Sequence, residues 1–243
     1  MESGAGLVPI AMGSGRAAFE VVATGGPGDL LRLAVGIDVA LGVSVHRGTP
    51  APTAGPTLDL RIDLIAQPAP GSRLCVEGEY LGHSGSSGSG RVVVRDEAGT
   101  TIAHAVGTMV VEPGVTDRAA RLARFVGVVP FDPDQLAEQL GRGPIEGTDV
   151  RLPLTPSMGN LRGSVHGGVV LALACLAQDR LPGPPTRTLS TSVEYFRPLP
   201  VEGEVTCRTE PVRDGRRFRT LRSELVLDDT RTAAVVTTTR ECC

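Results

Sequence analysis

"TLDLRIDLIAQPAPGSRLCVEGEYL" at residues 57–81 is written again as "TLSTSVEYFRPLPVEGEVTCRTEPV" at residues 188–212. Both stretches open with alternating strand-like residues and reach a Pro-x-Pro pair, Pro68 and Pro70 or Pro198 and Pro200. Both then continue as a second strand. The echo runs on downstream, where "RVVVRDEAGTTIAHAVGTMVV" (91–111) parallels "SELVLDDTRTAAVVTTTR" (223–240). Each of these reads as a hairpin of β-branched residues turning at Asp/Gly or Asp/Asp. The spacing is steady: Thr57 to Thr188 is 131 positions and Asp96 to Asp228 is 132. Self-similarity at a fixed offset marks one structural unit used more than once.

One helix candidate precedes each copy. In the second half it is roughly Gly168 to Asp179, apolar almost throughout; in the first it is "DLLRLAVGIDVALGVSV", Asp29 to Val45, closed by the Gly/Pro-rich "RGTPAPTAGP". A helix hydrophobic nearly all round is buried. Each half is therefore one buried helix followed by an antiparallel meander, an α+β arrangement repeated twice. The boundaries are a first unit at 1–112, a connector with helical pieces at 113–147, and a second unit at 148–243. The connector, with "VTDRAARLARFVG" and "DPDQLAEQLGR", is too long for a tight turn.

Composition narrows the function. The chain has 243 residues, 41% hydrophobic and 21% charged, as expected of a globular protein with a substantial core. A net charge of -3 with no Lys/Arg run gives nucleic acid no electrostatic footprint. All 24 basic residues are arginine, which excludes a lysine Schiff base and a Walker-type phosphate loop. The cysteines, Cys75, Cys175, Cys207, Cys242 and Cys243, are odd in number and lack metal-ligand spacing. They read as buried, reduced thiols of a cytoplasmic protein, with the terminal pair as a frayed tail. No basic leader precedes an apolar core, and no apolar run nears the roughly 20 residues of a membrane span. The glycine-rich "HSGSSGSGR" at 83–91 follows a strand and leads into another, so it reads as a flexible hairpin loop.

Chemistry-bearing residues cluster in "MGNLRGSVHGGVVLALACLAQD", 158–179. Asn160 and His166 lead into Gly167 and Gly168 and then the buried helix. Unpaired N–H groups at a helix N-terminus can polarise a carbonyl, and glycines let a substrate approach that backbone. Asn160, "VHGG", the buried helix and "SVEYFRP" entering "GEV" together resemble the acyl-CoA thioesterases of the hot-dog superfamily, in the phenylacetyl-CoA and 4-hydroxybenzoyl-CoA thioesterase-like branch. The likeness is good over about 150–243 and traceable over 17–112. It implies two fused hot-dog units, each a curved antiparallel sheet around one helix, paired as a pseudo-dimer. It also implies a thioester hydrolase whose coenzyme A arrives with the substrate, with no other cofactor and no metal.

That resemblance puts a carboxylate nine residues after the His, where this chain has Cys175. In the first half, "AVGIDVALG" is similar to the family's helix core and places Asp38 at the carboxylate position, with Asp29 at the His position and Ala23 at the Asn position. Nine residues of helix span about 13.5 Å, too far for an acid to serve its own helix N-terminus. Antiparallel pairing of the two helices would instead bring Asp38 to the loop of the other half. The expectation is one composite site. Asp38 is its general base or a nucleophile, Thr57 holds the water, and Gly167 and Asn160 sit at the thioester oxygen. His166 lies near the thioester, and Gly168 and Arg197 bind substrate. A structural Asp38 paired with an arginine, and an Asp179 solvated at its helix end, are the bland alternatives.

The substrate is an acyl-CoA or an acyl-carrier thioester. A hot-dog protein that binds acyl-CoA without hydrolysing it is the alternative reading. A hot-dog dehydratase or hydratase comes third, for want of an "HFPG"-like or "YxDxNPxH"-like segment. No nucleic-acid or membrane partner is expected, and the pseudo-dimer could assemble further into a homo-oligomer.

Overall fold

The computed structural model describes residues 6–49, 55–111, 132–140 and 145–243. Most of the expected connector, including "VTDRAARLARFVG", lies outside the described residues.

The first unit comprises β1 (Val8–Gly13), β2 (Arg16–Val22), α1 (Asp29–Gly48), β3 (Thr57–Leu64), β4 (Arg73–Ser84), β5 (Ser87–Asp96) and β6 (Thr101–Val110). The connector contributes α2 (Pro133–Leu140). The second unit comprises β7 (Ile145–Glu146), β8 (Asp149–Leu154), α3 (Gly167–Asp179), β9 (Thr186–Tyr195), β10 (Gly203–Asp214), β11 (Phe218–Leu227) and β12 (Arg231–Cys242). The leading hairpins β1–β2 and β7–β8 were not legible in the sequence. They are short, and β1 is exposed along its whole length, so it carries no alternation to read.

All twelve strands form one sheet in the order β1-β2-β4-β5-β6-β3-β9-β12-β11-β10-β8-β7. The second half of that order is the first half reversed and renumbered. The halves join where β3 pairs antiparallel with β9, through Leu60 with Val193, Arg61 with Ser192 and Ile62 with Thr191. Arg61 and Ser192 stand 131 positions apart, the offset of the repeat itself. Equivalent residues that face each other mark a local two-fold axis, so the axis passes through this pair. The chain is two fused hot-dog units paired as a pseudo-dimer.

Helix α1 is buried from Leu31 to Leu41 apart from Arg32, and again at Gly42, Ser44 and Val45. Its burial explains the glycine-rich segment at 83–91. That segment is the β4–β5 hairpin rather than a flexible loop. A Cβ on Gly90 would meet Leu41 at 2.9 Å, and one on Gly88 would meet Val45 at 2.8 Å. Glycine here lets the strand lie flat against the helix.

Two smaller expectations are corrected. Of the cysteines only Cys175 and Cys207 are buried; Cys75 and Cys242 are half-buried and Cys243 is exposed. The terminal pair is no frayed tail, because the Cys242 N–H donates to Arg217 O at 2.9 Å and the Cys243 N–H to Pro185 O at 3.0 Å. Among the described residues no helix is long and apolar enough to cross a membrane, and no cluster of three or more His, Cys, Asp or Glu could hold a metal ion.

Candidate active site

Helices α1 and α3 pack closely, and two glycines decide how closely. A Cβ on Gly168 would lie 2.4 Å from Ala34 O, and one on Gly167 would lie 2.6 Å from Asp38 Oδ2. The middle of α1 therefore faces the first turn of α3. There the Gly168 N–H donates to Asp38 Oδ2 at 2.9 Å, across 130 residues of sequence. Asp38 is only 7% exposed. Its negative charge is met by the positive end of the α3 dipole and by a helix donor that has no intrahelical acceptor.

Thr57 completes the carboxylate's surroundings by donating from Oγ1 to Asp38 Oδ1 at 2.7 Å. Strand alternation alone would turn Thr57 away, because Leu60 and Ile62 face the core and Leu58 would follow them. The β3–β6 register slips between Thr57 and Asp59, so Leu58 is an extra residue that faces out and Thr57 turns in. A β-bulge beside a site re-aims a side chain in this way. The second unit keeps the same device: between β9 and β12 the register skips Leu189 and re-aims Thr188.

The loop before α3 is a small hairpin. Gly159 bridges Val165, the Asn160 N–H donates to Ser164 O at 2.7 Å, and the His166 N–H donates to Met158 O at 2.9 Å. It delivers His166 as the N-cap of α3, with Nδ1 3.2 Å from both the Gly168 nitrogen and Asp38 Oδ2. One nitrogen cannot accept from the first and donate to the second. The 2.9 Å contact and the full charge assign the Gly168 N–H to Asp38. His166 Nδ1 is then free to donate to the same oxygen.

Tyr195 of "SVEYFRP", to which residue pattern assigns no role, also belongs here. Its hydroxyl donates to Gly167 O at 2.7 Å, fixing the peptide plane that aims the Gly168 N–H. Burial first, then the charges of Asp38 and Asp59, push the phenol well above its usual 10. It stays a protonated donor through neutral and mildly alkaline pH.

The other expected residues are placed differently. The Asn160 side chain clasps its own loop, accepting from the Arg162 N–H at 2.8 Å and donating to Ser164 Oγ at 3.1 Å. Arg197 is exposed just beyond β9, its backbone N–H donating to Ala233 O at 3.2 Å. Among the described residues Asp38 has no arginine beside it; its partners there are Thr57, Gly168 and His166. The arginine-paired acid is Asp179, bound at 2.5 Å by a guanidinium of Arg240 that is itself buried.

At the position of Asp38 in the second unit stands Cys175, fully buried, its Sγ 3.7 Å from Thr191 Oγ1. Burial pushes this thiol up to about 11, so it is uncharged at neutral pH and has no thiolate to offer. The Arg240 guanidinium donates to Cys175 O at 3.2 Å, and Gln178 bridges Ser223 and Thr238, satisfying the polar groups beneath. Cys175→Ala is expected to change turnover by less than about two-fold and to cost about 1 kcal/mol in a urea melt. A large loss of turnover without unfolding would assign Cys175 a role in the chemistry.

Comparison with known proteins bears on the fold that carries these residues. Residues 154–240 match the family described as acyl-CoA thioesterase N-terminal domain. No curated protein matches the chain by sequence. Among solved structures, the tesB protein of Mycobacterium avium subspecies paratuberculosis superposes with a TM-score of 0.65 at 12% identity, covering 97% of this chain and 96% of that one. A hot-dog-fold protein of unknown function from Alicyclobacillus acidocaldarius gives 0.62 at 14% identity, covering 100% and 97%. An acyl-ACP thioesterase from Bacteroides thetaiotaomicron gives 0.57 at 12% identity, covering 93% and 98%. At these identities the structures share the fold, end to end.

Proposed function

We propose, for a double hot-dog chain whose residues 154–240 match an acyl-CoA thioesterase domain, that it hydrolyses acyl thioesters at one composite site shared by its two units. The observation that carries this reading is the Asp38 carboxylate resting on the first turn of α3, 2.9 Å from the Gly168 nitrogen. Asp38 comes from the first unit and the His166–Gly168 turn from the second, which supports a site that needs both.

Asp38 is the general base. Thr57 holds one lone pair of Oδ1, while the Gly168 N–H and His166 both engage Oδ2, leaving the second lone pair of Oδ1 to accept a proton from water. As the first helical residue, Gly167 carries an N–H without an intrahelical acceptor. It is the donor for the thioester oxygen as negative charge develops there. Water adds to the carbonyl carbon through its oxygen, its proton passes to Asp38, and the C–S bond breaks. The departing thiolate takes up a proton, giving a carboxylic acid and a free thiol. His166, hydrogen-bonded to Asp38, steadies the carboxylate, and Asn160 shapes the loop that presents it. Arg197, exposed near the loop end of β9, suits the anionic part of a coenzyme A or acyl-carrier substrate. Coenzyme A enters as part of the substrate, and no separate cofactor is required.

Thiol release from a panel of acyl-CoAs and acyl-carrier thioesters tests the proposal. Steady release from at least one class is expected, at a rate proportional to protein. Saturable binding of the same thioesters with no release would favour the acyl-CoA-binding alternative.

A further inference from the structure

The local two-fold axis generates a counterpart of the Asp38 site, and the counterpart is a cavity. Its volume is about 240 Å³, between the N-terminal turn of α1 and the start of β9. Aligning Asp38 with Cys175 puts Asp29 at the place of His166, Leu30 at that of Gly167 and Leu31 at that of Gly168. The 131-residue offset likewise relates Thr188 to Thr57 and Leu64 to Tyr195. Asp29, Leu30, Leu64 and Thr188 all line the cavity.

The chemistry of hydrolysis has been removed there. The buried Cys175 replaces the acid, and the side chains of Leu30 and Leu31 cover backbone that glycine leaves open on the other side. Donors at the entry to α1 are already engaged: the Gly25 N–H by Asp29 at 2.8 Å, the Gly28 N–H by Asp134 of α2 at 2.9 Å, and the Asp29 N–H by Gly26 O at 3.3 Å. The binding features remain. Val21, Leu30, Leu33, Leu64, Leu74 and Ile102 form an apolar wall, and the polar lining is Thr188, Arg32, Arg187 and the carboxylates of Asp29 and Asp179. Arg32 is held by Asp29 and Asp134, whereas Arg187 pairs with Glu241 in a solvent-exposed bridge that an anionic head can replace. An engineered apolar cavity of about 150 Å³ holds benzene, so this one has room for a chain of several more carbons.

We propose that this second cavity is a non-catalytic binding site for an apolar acyl chain with an anionic head, held with its chain against Leu33 and Leu64 and its head toward Arg187. The chemistry fits a free fatty acid or an acyl thioester, which the experiment separates. The site lies apart from Asp38, so its occupancy is independent of hydrolysis.

Calorimetric titration with octanoate, and separately with the non-hydrolysable thioether S-octyl-coenzyme A, provides the test. Ala66→Phe and Val22→Phe fill the cavity from its loop and its rim, and neither residue touches the catalytic groups. The expected result is that wild type binds one more equivalent than either filled variant, while all three release thiol at rates within about two-fold. Loss of the extra equivalent for octanoate alone assigns a free carboxylate, and for the thioether alone an acyl thioester. Equal stoichiometry in wild type and filled variants, for both probes, overturns the proposal. If the filled variants unfold, a wild-type crystal soaked with bromo-octanoate decides it by bromine density between Leu33 and Leu64, or its absence there. Should no thioester be hydrolysed, the proposed function fails and the stoichiometries still decide the cavity.

Discussion

Asp38→Asn is expected to lower kcat for thioester hydrolysis by about two to four orders of magnitude, with little change in KM. That is roughly 3–5 kcal/mol of transition-state stabilisation at about 1.4 kcal/mol per decade. The substitution is nearly isosteric, and the surroundings can adapt to it. The new amide oxygen can keep the Gly168 N–H, and the Thr57 hydroxyl can turn to accept from the new NH₂, so both contacts survive in altered polarity. Stability should therefore hold to within about 1 kcal/mol, the scale of one exchanged hydrogen bond. What disappears is the basic lone pair. Single-turnover thiol release alongside a urea melt separates the two effects, and wild-type turnover in a folded Asp38→Asn protein would end the composite-site mechanism.

Gly168→Ala should act on the fold first and on activity as a consequence. Its Cβ would sit 2.4 Å from Ala34 O, 2.6 Å from Ala34 C and 2.7 Å from Val35 Cα, all of them backbone atoms of α1. No rotamer change relieves such contacts, so the two helices must move apart. Overpacking of this kind costs about 1–3 kcal/mol, and backbone-on-backbone contact belongs at the upper end. The separation also draws Asp38 away from the α3 N-terminus. Gly167→Ala is the matched control, because its Cβ meets side-chain atoms, Asp38 Oδ2 at 2.6 Å and Tyr195 Oη at 3.2 Å. It should lose activity while melting close to wild type. If Gly168→Ala melted like wild type, the helix contact would be less tightly packed than described.

Much of this was legible from residue patterns because the repeat is regular. The two Thr-Leu openings, the Pro-x-Pro turns and the apolar helices gave the unit, its duplication and its hot-dog form. The helix-length argument pointed Asp38 toward the loop of the other half, since an acid mid-helix cannot reach its own N-terminus. The structure brings Asp38, Thr57, His166, Gly167 and Gly168 together, and it adds Tyr195. That residue was in plain view in "SVEYFRP", but a strand tyrosine carries no sequence mark of the backbone carbonyl it will meet. Asn160 was expected at the thioester oxygen; its side chain bonds the Arg162 N–H and Ser164 Oγ within its own loop. The glycines at 83–91 looked like a flexible loop because composition reports backbone freedom, whereas close packing against α1 is a property of what lies opposite.

The sequence by itself determined the local matters: which segments are strands or buried helices, that they occur twice, and which half carries Asp38 and which the His166–Gly168 turn. Those follow from periodicity and residue type along a single stretch of chain. Only the tertiary structure decided the relations across the local two-fold axis. It set the β3–β9 register through Arg61 and Ser192, the bulge at Leu58 that turns Thr57 inward, and the Gly168 N–H as the donor that Asp38 takes. These depend on how closely two helices 130 residues apart can approach, which is set by packing between surfaces rather than by either segment alone.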